Sequence, residues 1–118
     1  PERALEPPME KETQPVVLSG RRVREGLGGV RELFDQARIR PFFEDGRPAG
    51  LMLTQVRPDS VFSRMGLRNG DVLKAADGQT ITSPKHALTL FRNLKTATPF
   101  SLRLVRGGTP TRIEYRFD

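Results

Sequence analysis

Between Leu51 and Ile81 the chain changes direction so often that neither a long helix nor a long strand fits. Pro58-Asp59-Ser60 is a helix start, because Asp59 or Ser60 can accept hydrogen bonds from the orphan amides of the next turn. Gly66 ends that helix soon after it begins. Asn69-Gly70 then supplies a tight turn, since both residues tolerate positive φ at little cost. Residues 71–75 read as a buried strand, and Asp77-Gly78 turns the chain again before Thr80-Ile81. Punctuation this dense confines the chain to a small domain of short elements.

The flanks extend the pattern. Val16-Val17-Leu18 is a short apolar strand, and Ser19 precedes a brief helical stretch over residues 21–27 that Gly28-Gly29 closes. Residues 30–37 place apolar side chains three and four apart, the spacing of one helix face. Residues 38–43 switch to a strand pattern, in which Pro41 has no ladder donor and so marks an edge or a bulge. After a turn-rich loop at 44–48, residues 51–56 form a strand with Leu51 and Leu53 on one face. Ser83-Pro84 opens the best helix of the chain, a capping side chain followed by proline at the first helical position. Residues 100–105 and 112–117 alternate cleanly and make a hairpin around Gly107-Gly108-Thr109-Pro110. The expected fold is α+β: a small, mostly antiparallel sheet or partial barrel of five to six strands, packed by two or three helices.

Composition bounds the function. A chain of 118 residues, 36% hydrophobic and 29% charged, suits one globular domain burying roughly two thirds of its unfolded surface. Residues 1–15 hold four prolines, four glutamates and almost nothing apolar, so they read as a flexible arm or linker and residues 16–118 as the domain. No run approaches the ~18 apolar residues of a spanning helix. The chain begins at Pro1, which points to a piece of a longer protein whose membrane anchor, if any, lies elsewhere. The net charge of +6 favours acidic partners, yet no basic cluster interleaved with aromatics marks a nucleic-acid site.

Catalytic chemistry has little to work with. There is no cysteine, hence no disulfide, thiolate nucleophile or thiolate ligand. His86 is the only histidine, too few for the usual zinc sites, and it neighbours Lys85 on what reads as the exposed side of its helix. Asp45, Asp59, Asp71 and Asp77 each sit in a turn or cap, where short carboxylates satisfy backbone amides. Gly26-Leu27-Gly28-Gly29 lacks the Lys-Ser/Thr pair of a phosphate-cradling loop. Neither an enzyme nor a metal or cofactor is expected.

The run Val56-Arg57-Pro58-Asp59-Ser60-Val61-Phe62-Ser63-Arg64-Met65-Gly66-Leu67-Arg68-Asn69-Gly70-Asp71-Val72-Leu73 resembles the signature of bacterial PDZ domains. So does Asp77-Gly78-Gln79-Thr80-Ile81 with the helix from Pro84. Upstream, Leu33-Phe34-Asp35-Gln36-Ala37-Arg38-Ile39-Arg40-Pro41-Phe42-Phe43, Asp45-Gly46-Arg47 and Gly50-Leu51 are similar to the lead-in of the PDZ domain of type II secretion system protein C. The resemblance covers roughly residues 17–118. It implies a periplasmic domain of a Gram-negative inner-membrane protein, reaching the membrane only through an anchor outside this chain. Its implied partners are secreted exoproteins and other secretion components, the secretin and the inner-membrane platform. PDZ domains of HtrA-type periplasmic proteases share the Gly66-Leu67 to Asp71 core without the lead-in. A regulatory PDZ domain of such a protease stays an alternative, as does a basic module that binds by charge alone.

PDZ-type recognition adds a peptide strand to a sheet edge and seats alternate side chains against a helix. The resemblance places the acceptor at residues 51–55, with Gly50 and Leu51 offering backbone amides and Leu51 and Leu53 flooring the groove. Pro84, Leu88 and Phe91 would form the helix wall, while Leu53 reads equally as plain core. Pro84 stands where a common PDZ subclass carries a histidine, and Arg47-Pro48-Ala49-Gly50-Leu51 lacks the usual Gly-Leu-Gly-Phe run. Both departures argue against a strict free C-terminus preference and point toward internal segments, or a surface patch on a folded exoprotein, as ligands.

Overall fold

Local signals become local structure wherever their hydrogen bonds close within a few residues. The computed structural model describes residues 10–118, the Val30 side chain excepted. Of the arm expected over residues 1–15, residues 1–9 lie outside that range, and Lys11–Glu12 form a first short strand, β1. β2 (Val16–Leu18) leads into α1 (Gly20–Leu27), where the Ser19 hydroxyl accepts from the Arg22 amide at 3.3 Å. α2 (Val30–Asp35) follows, with the Glu32 carboxylate accepting from the Gly29 amide at 2.9 Å. Next come β3 (Arg38–Glu44) and β4 (Arg47–Thr54), joined by a tight turn in which Asp45 and Gly46 both take positive φ.

At α3 (Val61–Arg64), Ser60 rather than Asp59 is the cap, its hydroxyl accepting from the Ser63 amide at 3.1 Å. β5 (Val72–Ala76) and the two-residue β6 (Gln79–Thr80) lie on either side of the Asp77-Gly78 turn. The best helix starts later than its sequence indicates. Pro84–His86 form a 3₁₀ turn, the Ser83 side chain makes no cap bond, and α4 runs only over Ala87–Lys95. The His86 ring folds back on the approach to the turn, its Nδ1 accepting from the Thr82 amide at 3.0 Å. β7 (Phe100–Arg106) and β8 (Thr109–Phe117) are the expected hairpin.

The strands form one open, mixed sheet in the order β1-β8-β7-β5-β4-β3, with β2 also on β8 and β6 on β5. Its ends do not meet, so it is not a barrel. Eight strands, against the five to six expected, appear among the described residues because β1, β2 and β6 are two or three residues long. β1 and β2 run parallel to β8, and every other pairing is antiparallel. Among the described residues four short α-helices cover the sheet where two or three were expected, and Val23, Leu27, Leu33, Leu90 and Leu94 share one core with Leu51, Leu53, Leu73 and Leu102.

A buried polar link holds the α3–β5 turn in place. The Asp71 carboxylate is almost fully buried; it accepts from the Arg68 amide at 2.9 Å and receives Arg106 through Nε at 3.0 Å and Nη2 at 2.7 Å. Arg106 Nη2 also donates to the Gly66 carbonyl at 2.9 Å, and the Tyr115 hydroxyl to the Met65 carbonyl at 2.8 Å. The carbonyls of the two residues that follow α3 are thus satisfied by side chains forty and fifty residues away. The Asp71 hydrogen bond holds the Arg106 guanidinium above its usual range, and burial pushes the Tyr115 phenol up.

Candidate peptide groove

A strand can be added only to an edge whose backbone groups are free. β4 has no such edge over the predicted acceptor residues. On one side it pairs with β3, and on the other Leu51 and Met52 pair with Leu73 and Val72 of β5. The Leu53 amide donates to the Asp71 carbonyl at 2.9 Å, and its carbonyl accepts from the Gly70 amide at 2.7 Å. At this end of the sheet the free edge is that of β3, the last strand; β1 and β2 form the other end.

Register shows which groups that edge presents. In an antiparallel strand each residue turns its N–H and C=O to the same side, and successive residues alternate. Both backbone groups of Leu53 face β5, so its partner across the ladder, Ile39, is in a non-hydrogen-bonded pair and turns its own groups outward. Alternation then turns Arg40 and Phe42 toward β4, and Pro41 and Phe43 toward the open edge. Two donors, from Ile39 and Phe43, and three carbonyls are offered; the middle donor is missing because Pro41 has none. Proline sits where its absent N–H costs the folded sheet nothing and blunts indiscriminate edge pairing. The bulge that Pro41 also allowed lies two residues on, where Phe42 pairs with Gly50 but Phe43 with Pro48.

α4 supplies the wall. Ala87, Leu90 and Leu94 are buried, and with Ile39 of β3 and Leu51 of β4 they line an apolar cavity of about 10 Å³, the size of one water. Thr89 lines the crevice against β6, which leaves Leu88, Phe91 and Lys95 on the opposite flank of the helix. Leu88 is 39% exposed, Phe91 is half-buried, and the Lys95 ammonium stands 5.8 Å from the Phe91 ring centroid. Phe43, 58% exposed, extends the apolar face at the far end of β3. The Pro84–His86 turn comes within 8 Å of β3, Cα to Cα. An added strand lies about 4.8 Å beyond its neighbour, so this end of the groove is narrow.

The predicted site residues therefore divide. Leu88 and Phe91 are exposed or half-buried on α4, and Pro84 is exposed at its N-terminal approach. Leu51 and Leu53 are 0% exposed and belong to the core beneath the groove. Gly50 serves the sheet rather than a ligand, because a Cβ there would lie 2.6 Å from the Leu73 carbonyl oxygen, at a φ of 154°. It lets β5 approach β4 and turns no amide to an open edge. The open edge of β3 adds Ile39, Pro41 and Phe43 as candidates that the sequence reading did not single out. The signal was available, since proline inside a strand-like run already marked an edge.

Comparison with known proteins defines the class first. Residues 52–106 match the family model described as "PDZ domain", and the chain has a PDZ fold. Its likenesses are then more particular. It is 28% identical over 87 residues to type II secretion system protein C of Vibrio cholerae serotype O1, covering 73% of this chain and 28% of that protein. It is 33% identical over 90 residues to a probable periplasmic serine endoprotease, DegP-like, of Pseudomonas savastanoi pv. phaseolicola, covering 76% of this chain and 19% of that one. The PDZ domain of EpsC from Vibrio cholerae superposes with a TM-score of 0.55 at 26% identity, over 80% of this chain and 91% of that domain. The chain thus spans less than a third of the curated relatives it matches. It is a PDZ domain resembling those of type II secretion system protein C.

Proposed function

We propose that this chain is the periplasmic PDZ module of a type II secretion system inner-membrane component, and that it holds extended segments of secreted exoproteins or of other secretion components. The observation that carries the reading is the free edge of β3 beside the exposed apolar flank of α4. A few backbone hydrogen bonds contribute about 1 kcal/mol each and one or two filled pockets a few kcal/mol more, so after association costs binding is micromolar or weaker. A machine that must release its cargo works in that range. The narrow end of the groove adds a cost, because the Pro84–His86 turn must yield before a full strand fits.

The test is NMR titration of the labelled domain with secreted proteins and peptides of the parent organism, for wild type and Leu88→Gln. Shifts along residues 39–43 and 84–91, lost in the variant, support the reading. Shifts confined elsewhere would leave the fold as a scaffold. A regulatory PDZ domain of an HtrA-type protease is the second reading, favoured by the 33% identical relative. The parent protein separates the two: a spanning segment before Pro1 supports the first, a serine protease domain the second. On either reading the domain itself binds and does not catalyse.

A further inference from the structure

Resting on the β3 groove as the ligand site, we infer that its ligand is an internal, extended segment in which acidic and apolar residues alternate. Side chains along an added strand point alternately to the two faces of the sheet, in step with those of the strand it joins. On one face it would meet Ile39 and Pro41, with Leu88 and Phe91 of α4 beside them. Positions there are apolar.

On the other face it would lie opposite Arg38 and Arg40, both exposed. Across the ladder those arginines have Thr54 and Met52 for neighbours, so β4 supplies them no counter-charge. Among the described residues, neither makes an ion pair with a carboxylate within 4.0 Å, and the same is true of Lys85, Arg92 and Lys95 around α4. Over the middle of the sheet the cations of β5, β7 and β8 are matched: Lys74 by Glu44, Arg103 by Glu10, Arg106 by Asp71, Arg112 by Glu12 and Glu114, Arg116 by Glu114. Arg38, Arg40, Lys85, Arg92 and Lys95 thus put five cations without an ion pair around the β3 edge, with no carboxylate within 4.0 Å of them among the described residues.

Opposite charges directly across a strand pair stabilise it, and like charges destabilise it. This also disfavours a second copy of the chain as the occupant, since pairing two β3 edges sets arginine near arginine and each proline against a carbonyl it cannot serve. Ahead of β3 the Gln36 amide already donates to the Leu33 carbonyl at 3.3 Å, so Gln36 has no backbone donor to offer a terminal carboxylate.

The test uses four synthetic eight-residue peptides with blocked termini against the full chain, read by fluorescence anisotropy and by amide shifts. One alternates Glu and Val, one alternates Lys and Val, and one has the composition of the first in the order Glu-Glu-Val-Val. The fourth is the first with a free C-terminus. The alternating acidic peptide is expected to bind about tenfold tighter than the lysine peptide at 0.05 M salt, falling to about twofold at 0.5 M as screening sets in. It is also expected to exceed the block-ordered peptide several-fold, and to lose that advantage in the Arg38→Gln/Arg40→Gln variant. Equal binding of acidic and basic peptides on β3, lost in Leu88→Gln, would overturn the charge inference and leave the groove reading intact. Equal binding of the two acidic orders would mean attraction by net charge alone and would overturn it, as would a free C-terminus binding more than tenfold tighter than the blocked peptide. No shifts at β3 with any peptide would overturn the groove reading itself.

Discussion

Replacing Pro41 by valine tests the register of β3 directly. Pro41 lies opposite Leu51 in a non-hydrogen-bonded pair, so an amide introduced at position 41 points away from β4 into the open edge. In the free protein the new N–H meets only water, and the loss of proline's restraint on the unfolded chain costs about 0.4–1 kcal/mol, part of which valine's fit to a strand returns. The complex gains one backbone hydrogen bond, worth a net 0.5–1.5 kcal/mol, which is a two- to twelvefold drop in Kd at about 0.59 kcal/mol per RT. Titration of a groove peptide by fluorescence anisotropy measures that drop. Hydrogen exchange supplies the decisive readout: the amide at position 41 exchanges fast in the free protein and is protected in the complex. A slow amide in the free protein would show that position 41 faces β4 and would refute the register derivation. Unchanged affinity with an unprotected amide would refute strand addition at β3. Sedimentation velocity should also show more self-association, since the edge has lost its blunting proline.

Gly50→Ala should destabilise the fold by about 2–4 kcal/mol in urea titration, because its Cβ meets the Leu73 carbonyl at 2.6 Å and its φ of 154° is strained for any side chain. A loss of ligand affinity with stability unchanged would mean instead that Gly50 contacts the ligand. Arg106→Leu leaves the Asp71 carboxylate buried without its partner, and chemical denaturation should register a loss of about 3 kcal/mol. Tyr115→Phe removes the hydrogen bond to Met65 and should cost about 1–2 kcal/mol at neutral pH. The wild-type phenol ionises more readily unfolded, near its ordinary 10.0, than buried in the fold. Its contribution is therefore complete below pH 10 and lost as pH climbs above it, and the variant should lack that part of the alkaline decline.

Residues within a turn or two of one another made much of this domain legible. Ser60 capping α3, Gly66 ending it, and Asp45-Gly46 and Asp77-Gly78 turning the chain with positive φ are local events, where short polar side chains and glycine have few substitutes. The hairpin of β7 and β8 follows from alternation around Gly107-Gly108 for the same reason. Alternation within a strand says which face is apolar and nothing about what lies on either side of it. Leu51-Met52-Leu53 marked an apolar strand, but only the tertiary structure places β5 against its second edge and leaves β3 at the margin, so the proposed acceptor is β3 and not its neighbour β4. Arg106 found Asp71 across thirty-five residues on the same terms. Hydrogen bonds that close locally are written in residue type and spacing, whereas strand order depends on which distant edges bury the most surface together, and that is decided by the whole fold.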